Sequence, residues 1–339
     1  MTAAAPPSLR RARQRREIRR TGRSGRWTSL EPTTSPDGAA REDELRALEA
    51  AENFPVALRL LPAAHRHHLQ VVYDVARTID DLGDAAAGDP ASRTADLLAF
   101  AADLRTVWRP GAGPEHPVLR RLVPTVRACL LDAEPFERLI EANLQDQRKS
   151  RYATFSELRD YCVLSADPVG RIVLQVFGQS TPARQVLSDR VCTALQVLEH
   201  LQDVAEDRAR GRVYLPQEDL AAFGVTVSDL DAASSSTALA ALVRWETERA
   251  ARLLEEGAPL VAELRGWGRL AVAGFLAGGL ATVDALLRPG VDVLVATPRP
   301  RRADVGRHAI TVLTRSLRSV LFVVSGTGMS DGNGPRRRS

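Results

Sequence analysis

Apolar residues recur at helical spacing along most of this chain, in blocks rich in Ala, Leu, Arg and Glu that Pro or Gly clusters separate. Valine-rich stretches are few and do not alternate with polar residues, so no sheet is predicted. The pattern predicts an all-α fold with helices at approximately 42–53, 64–83, 91–108, 116–130, 134–150, 156–166, 169–179, 184–209, 237–256, 259–288 and 302–324. Residues 225–237, with a Ser-rich run, are predicted to be a loop.

Two apolar blocks near the end of the chain need a specific interpretation. Residues 270–287 are the most apolar, but Asp284 and several Gly residues interrupt them, so a buried bundle helix is predicted rather than a membrane span. In the last block, a helical stripe is predicted to pack in the core, with peripheral membrane contact as the alternative. The stripe comprises Ile310, Leu313, Leu317, Leu321 and Val324.

The two ends of the chain differ in charge from its body. Residues 1–41 carry a net charge of +7 and three Arg residues near the C-terminus add +3, which leaves residues 42–334 at about −6. All the cationic side chains except Lys149 are Arg. We predict a disordered Arg-rich tail over 1–41, a single all-α domain over 42–324 and a disordered tail over 325–339.

The basic tail also bears on partners and location. Trp27 is its only aromatic residue and it matches no nucleic-acid-binding motif, so specific nucleic-acid binding is not expected. Attraction to an anionic membrane surface is the alternative to an inert tail. Residues 1–41 contain no apolar stretch typical of a secretory signal. The three Cys are far apart in sequence, which does not suggest a disulfide framework. A cytoplasmic location is therefore expected, with peripheral contact at the inner face of the membrane as the alternative.

Carboxylates are paired at helical spacing in two separate helices. Asp80 and Asp84 lie four residues apart, with Arg77 one turn earlier. Asp203 and Asp207 repeat that spacing more than a hundred residues later. Residues four apart share one face of a helix, and an apolar run precedes each pair, as expected where helices line a cavity in a bundle. We predict that the two pairs face each other.

The chemistry of these side chains points to a hard cation. Gln196 and Glu199 extend the second carboxylate face backwards, whereas His200 lies one residue off that face and is predicted to be a packing residue. Oxygen ligands without His or Cys suit Mg²⁺, which is usually held by a few carboxylates and by substrate phosphates. The sequence therefore predicts a diphosphate substrate, whose leaving group the cation would stabilise.

Other residues can serve such a reaction. Arg77, Arg212 and Tyr214 are candidates for contacts with the phosphates. A carbocation would remain after the diphosphate leaves, and aromatic rings can stabilise it. Phe54, Tyr161 and Phe177 are candidates for that apolar wall.

Four stretches in order, ENFPVALRLLP, YDVARTIDDLGD, DYCVLSADPVGRIVLQVFG and LQDVAEDRARGRVYLP, resemble the squalene/phytoene synthases, the head-to-head branch of isoprenoid synthases. The resemblance runs from about residue 52 to 220 and more loosely to about 300. Within the family, the first and third stretches look most like bacterial hydroxysqualene synthases. The resemblance to this family implies an all-α isoprenoid-synthase bundle with a central apolar cavity. It also implies that Mg²⁺ and prenyl diphosphates are held between two Asp-rich helices.

The resemblance also implies roles for individual residues. The metal and diphosphate ligands would be Asp80, Asp84, Asp203 and Asp207, with Asp81 adjacent to the first pair and Arg77 binding diphosphate. The substrate would also contact Asn53, Phe54, Gln196, Arg212 and Tyr214, and Tyr161 matches the tyrosine tied to the cyclopropyl intermediate. In one departure, Glu199 stands where the second metal motif usually has Asn. Glu199 is predicted to ligate Mg²⁺ and would add a charge to the site; the alternatives are that it is protonated or turned away from the metal.

The leading hypothesis is a Mg²⁺-dependent enzyme that converts presqualene diphosphate and water to hydroxysqualene. NADPH is not expected for that reaction. The alternatives are a squalene or presqualene diphosphate synthase that condenses two farnesyl diphosphates, a phytoene synthase, and an inactive helical scaffold of the same family. The sequence leaves the oligomeric state open.

Overall fold

A computed structural model describes residues 61–85, 89–111 and 113–326, with side chains described as far as residue 317. Its α-helices are α1 (Ala63–Gly83), α2 (Pro90–Leu104), α3 (Pro117–Cys129), α4 (Glu134–Asp146), α5 (Phe155–Ser165), α6 (Asp167–Val176), α7 (Pro182–Gln202), α8 (Val204–Ala209), α9 (Gln217–Ala222), α10 (Thr237–Gly257), α11 (Leu260–Glu263), α12 (Gly266–Leu286) and α13 (Arg302–Gly326). Short 3₁₀ helices span Arg105–Trp108 and Val227–Asp231. The described ranges contain no strand, only one isolated bridge between Arg151 and Val213. The all-α prediction is confirmed.

Local signals in the sequence explain where several helices begin. The Asp89, Thr154, Thr181 and Ser236 side chains accept hydrogen bonds from backbone N–H groups in the first turns of α2, α5, α7 and α10. Such caps satisfy amide groups that have no partner inside the helix. Pro occupies the first turn of α2, α3, α4, α6 and α7, where its missing N–H costs nothing. These signals set the helix starts close to their predicted positions.

Two predicted helices are each interrupted in the structure. The helix predicted over 184–209 breaks at Asp203, although no Pro or Gly in the sequence marks the break. The helix predicted over 259–288 is interrupted between α11 and α12, where Gly266 has a φ of 52°. The loop predicted over 225–237 contains a 3₁₀ turn, and α9 was not predicted. The predicted helix over 42–53 lies outside the described residues.

The core consists of two apolar clusters that share α6. Leu174 of α6 packs into the cluster formed mainly by α7, α10 and α12. Ile172 and Val173 of the same helix pack into the cluster formed mainly by α1, α2 and α3. Because α6 contributes to both clusters, it fixes the first group of helices against the second.

The helix α12 is long and apolar enough to cross a membrane, with a mean hydropathy of 1.4. Inside the protein, however, 67% of its apolar window is buried, as in the core helix of a bundle. The prediction of a buried helix at 270–287 is therefore confirmed.

The predicted core stripe of α13 is wrong at two positions, because Ile310 is 67% exposed and Leu317 is 52% exposed. Val312 and Ser316 are buried instead. The ring of His308 in α13 lies 2.8 Å from an Asp284 carboxylate oxygen of α12, so this face of the helix is turned towards α12. Leu321 and Val324 lie beyond the described side chains.

Close packing of α7 on α10 depends on Gly257. A Cβ atom at this position would lie 2.9 Å from the Leu187 carbonyl oxygen and 2.5 Å from a Val191 methyl group. We predict that Gly257→Ala lowers the free energy of unfolding by about 1–3 kcal/mol, because a backbone carbonyl cannot move aside cheaply. Urea denaturation measures the change. Gly306→Ala in α13, where a Cβ meets nothing within 4 Å, is the control and should raise stability by about 0.5–1 kcal/mol. Equal effects of the two substitutions would contradict this account of the packing.

Candidate active site

The first carboxylate pair lies at the C-terminal end of α1, against α4. The amide of Asn143 in α4 donates a hydrogen bond to Asp80 at 3.0 Å. Gly83 permits this approach, since a Cβ there would overlap the Asn143 side chain. The Gln147 side chain, just after α4, donates a hydrogen bond to the Gly83 carbonyl oxygen at the end of α1, at 3.0 Å. This is a second hydrogen bond between the ends of α1 and α4.

The Asp80 carboxylate is reached by solvent but is also surrounded by protein. Its residue is exposed, yet desolvation by burial raises its pKa to about 6, and the neighbouring Asp84 and Asp81 charges act in the same direction.

Arg212 joins the two carboxylate motifs. Its guanidinium lies 2.9 Å from the Asp84 carboxylate, and its backbone N–H donates to the Asp207 carbonyl oxygen at 2.9 Å. One residue therefore touches the last aspartate of each motif. The prediction that the two motifs meet at one site is supported by this bridge.

Asp81 and Arg77 lie to one side of that bridge. Asp81 is 63% exposed and its carboxylate lies 3.2 Å from the Arg77 guanidinium. Arg77 is itself 46% exposed. The structure thus pairs these two predicted site residues with each other, and neither contacts Arg212 among the described interactions.

The second carboxylate pair lies at the break between α7 and α8. Burial raises the pKa of Asp203 to about 6, and the neighbouring Glu206 and Asp207 carboxylates contribute. No hydrogen bond or ion pair of the Asp203 side chain occurs within the described part of the chain. Asp207 is buried, and Glu199 is exposed on α7. Asp203 thus lies near other carboxylates and receives no hydrogen bond from the described side chains. A carboxylate in such surroundings favours binding of a cation.

His200, predicted to be a packing residue, packs against two residues of the candidate site. Its ring stacks on Tyr214 at a centroid separation of 3.7 Å, and its Nδ1 lies 3.6 Å from an Asp207 carboxylate oxygen. The Nε2 atom of Gln196 lies 3.3 Å from the other ring nitrogen.

An aromatic cluster adjoins the carboxylates. Tyr161 lies 5.5 Å from Tyr214 and 5.4 Å from Tyr152, measured between ring centroids. The hydroxyl of Tyr161 donates to Asp146 of α4 at 2.7 Å. Phe177, predicted to share a wall with Tyr161, packs instead in the other apolar cluster, 5.0 Å from the His65 ring.

A small pocket opens where these groups meet. It is lined by His200, Val204, Asp207, Arg212, Val213, Tyr214, Leu215 and Leu230. The large apolar cavity implied by the family resemblance stays a prediction. Asn53 and Phe54, predicted to contact substrate, lie outside the described residues.

Sequence reasoning did not single out two residues that contact predicted site residues. Asn143 and Asp146 come from α4, which carries neither Asp-rich motif. The spacing of Asn143 and Asp146 by three residues puts them on one helical face, which is the only signal that the sequence offered.

The donor set fits a hard cation whose coordination a ligand completes. The four motif aspartates offer only carboxylate oxygens, the donors that Mg²⁺ prefers. Within the described residues, no three His, Cys, Asp or Glu side chains lie close enough to hold a metal ion by themselves. Burial is the main cause of the raised pKa of Asp80 and of Asp203, and neighbouring carboxylates raise both further. The residues therefore suit Mg²⁺ bound together with diphosphate oxygens.

Comparison with known proteins identifies similar chains. The family model described as squalene/phytoene synthase matches residues 48–308. A hydroxysqualene synthase of Rhodopseudomonas palustris is 38% identical over 63% of this chain and 72% of its own length. A presqualene diphosphate synthase of the same organism is 30% identical over 64% of this chain and 75% of its length. Phytoene synthases also match.

A solved structure agrees in fold as well as in sequence. The crystal structure of squalene synthase HpnC from Alicyclobacillus acidocaldarius is 40% identical, with a TM-score of 0.64 over 74% of this chain and 95% of that one. A dehydrosqualene synthase structure, at 24% identity, shares the fold with a TM-score of 0.70 over 84% of this chain and 97% of that one.

The raised pKa of Asp203 makes stability depend on pH. A carboxyl with a higher pKa when folded binds more protons folded than unfolded between its two pKa values, so the free energy of unfolding falls as pH rises through that range. For Asp203 this range runs from pH 3.8 to about 6. At pH 7.5 the ionised Asp203 carboxylate therefore lowers the free energy of unfolding by its full amount. We predict that Asp203→Asn raises the Tm of the ligand-free protein at pH 7.5 by about 2 °C or more, and that the gain fades towards pH 4.

Thermal unfolding followed by circular dichroism across this pH range tests the prediction. Asp96→Asn, at an exposed position of α2, is the matched control and should leave Tm unchanged at every pH. A Tm that is lower in Asp203→Asn than in the wild type at pH 7.5 would show that Asp203 stabilises the ligand-free fold.

Proposed function

Because the chain belongs to the squalene/phytoene synthase family, we propose that it converts presqualene diphosphate and water to hydroxysqualene and diphosphate. Family membership makes it a prenyl-diphosphate enzyme and a head-to-head prenyl synthase, and its helical bundle is that of the isoprenoid synthases. The choice of step within that chemistry is the proposal.

The observation that carries the choice is a difference between two relatives from one organism. Rhodopseudomonas palustris has separate proteins named hydroxysqualene synthase and presqualene diphosphate synthase, and this chain is 38% identical to the first against 30% to the second. Both comparisons cover nearly the same share of this chain, 63% and 64%. The higher identity favours the second half-reaction, in which presqualene diphosphate is consumed.

The residues of the two motifs would bind the diphosphate group. Asp80, Asp84, Asp203 and Asp207 would hold Mg²⁺, which when bound acts as a Lewis acid that stabilises the charge on the leaving diphosphate. Because the Arg212 guanidinium contacts Asp84, it would lie close to a diphosphate bound there and could donate to a phosphate oxygen.

Ionisation of the carbon–oxygen bond leaves a carbocation, and the surrounding groups decide its fate. The rings of Tyr161, Tyr152 and Tyr214 pack against one another in a buried cluster, and aromatic faces stabilise positive charge. A water molecule that reaches the cation forms the alcohol. No reductant is required for this outcome, which is why NADPH is not expected.

The proposal predicts an oxygen-labelled product. Purified protein with Mg²⁺ and presqualene diphosphate in ¹⁸O-labelled water should form ¹⁸O-hydroxysqualene without NADPH, as measured by mass spectrometry. Farnesyl diphosphate and geranylgeranyl diphosphate, supplied separately, test the first half-reaction and the phytoene alternative. Squalene that appears only with NADPH, or phytoene from the longer substrate, would contradict the proposal.

The roles of the aspartates predict a large loss of rate. Asp80→Asn and Asp203→Asn should each lower turnover of presqualene diphosphate by about a hundredfold or more, because each removes a charged oxygen ligand while helical content is retained. Asp74→Asn is the control, since Asp74 lies in the same helix and pairs with Arg121. Steady-state kinetics measures the turnover rate, and circular dichroism measures the helical content. Wild-type rates in either site variant would remove the metal-binding role.

A further inference from the structure

Asp146, the last residue of α4, receives two phenolic hydrogen bonds beside the two aspartate motifs. The hydroxyl of Tyr161 donates to Oδ2 at 2.7 Å, and the hydroxyl of Tyr214 donates to Oδ1 at 3.3 Å. Tyr161 comes from α5, and Tyr214 comes from the segment that follows α8. One carboxylate therefore holds two aromatic rings that come from different parts of the chain.

The direction of these hydrogen bonds decides what the phenols can do. A phenol has one proton, and both hydroxyls donate towards Asp146 while a further hydrogen bond joins the two hydroxyls to each other. Burial, together with neighbouring charges that include Asp146, raises the pKa of both phenols, so they stay protonated. The Tyr161 and Tyr214 oxygens can then only accept any further hydrogen bond. Acceptor oxygens stabilise a nearby cation and bind the O–H of a water molecule.

The surroundings of Asp146 are mixed in charge. The Arg212 guanidinium and the His200 ring approach it from the side of the second motif, and Tyr152 lies against the same cluster. Burial raises the pKa of Asp146 above its usual range, while the Tyr161 hydrogen bond and the Arg212 charge act in the opposite direction. The net result is a carboxylate that takes up a proton more readily than a surface aspartate does.

We infer that Asp146 is a positioning residue that acts through Tyr161: it orients the phenol so that its oxygen accepts a proton from the attacking water. This inference rests on the proposed function, because it concerns the water that completes hydroxysqualene. The geometry that carries it is the 2.7 Å hydrogen bond from the Tyr161 hydroxyl to the partly buried Asp146 carboxylate, which fixes the direction of the phenolic O–H.

The proton transfer is balanced without any oxidant or reductant. The water oxygen forms a bond to the cationic carbon, and one of its O–H bonds breaks. That proton passes to the Tyr161 oxygen while the phenolic proton passes to Asp146. The neutral Asp146 carboxyl then releases its proton to solvent, which restores the starting state.

The test measures two steps separately: release of diphosphate from presqualene diphosphate, and capture of the resulting carbocation by water. With Mg²⁺ and saturating presqualene diphosphate, Asp146→Asn should release diphosphate within about threefold of the wild-type rate. The share of turnovers that ends in hydroxysqualene should fall by about a hundredfold, the size of effect that proton transfer contributes, with other products of the same cation in its place. KM should change little. A residue that served stability alone would not change this product ratio.

Further variants decide whether Asp146 and Tyr161 act as a unit. Tyr161→Phe should reproduce the product ratio of Asp146→Asn, and the double variant should show no additional loss. Asp146→Glu should recover part of the hydroxysqualene. Glu141→Gln, at an exposed position of α4, is the matched control and should behave as the wild type does. An unchanged product ratio in Asp146→Asn overturns the inference, and so does a parallel loss of diphosphate release and hydroxysqualene.

A second measurement needs no substrate. The chain has four Tyr residues, so incorporation of 3-fluorotyrosine gives four ¹⁹F signals that single Tyr→Phe variants assign. Asp146→Asn should shift the Tyr161 and Tyr214 signals, while Glu141→Gln should shift neither. If wild-type protein makes no hydroxysqualene, the proposed function fails and the proton-accepting role fails with it, whereas the ¹⁹F signals still decide the positioning role. Unshifted Tyr161 and Tyr214 signals overturn that role too.

Discussion

The contact of Arg212 with Asp84 is the interaction on which the arrangement of this site depends. The ends of α1 and α7 bring several carboxylates into one region, and like charges in partly desolvated surroundings repel each other. The Arg212 guanidinium faces the first motif at 2.9 Å, while its backbone is tied to Asp207 of the second. Without that positive charge the two acidic ends would oppose the packing of the helices that carry them.

The rest of the bundle holds this bridge in place. The backbone N–H of Val213 donates to the Ser150 carbonyl oxygen, and that of Gln217 donates to the Tyr152 carbonyl oxygen, so the segment after Arg212 lies along the segment after α4. Arg249 of α10 then binds Asp219 and Glu246 and anchors α9. The segment that carries Arg212 and Tyr214 is therefore fixed at both ends.

Much of the fold and part of the site could be predicted from local sequence. The 3.6-residue period, the caps and the prolines act within one or two turns, and four motifs in order led to the family, which the match over residues 48–308 confirms. Asp146 and Asn143 were not singled out, because their contacts are with residues distant in sequence. The stripe of α13 was wrong at Ile310 and Leu317, where the helix packs against its neighbours through other residues, among them His308 in contact with Asp284.

The near absence of Lys has a consequence for proton chemistry. Arg keeps its proton at every physiological pH, whereas a buried Lys can lose one. The single Lys149 lies over the Tyr152 ring and pairs with Glu157, so the positive charge at the aspartate motifs comes from arginines, among them Arg77, Arg210 and Arg212. That charge is permanent, and these cations cannot exchange protons with the reaction. Acid–base events among the described side chains of the site are thereby left to carboxylates, phenols and one imidazole.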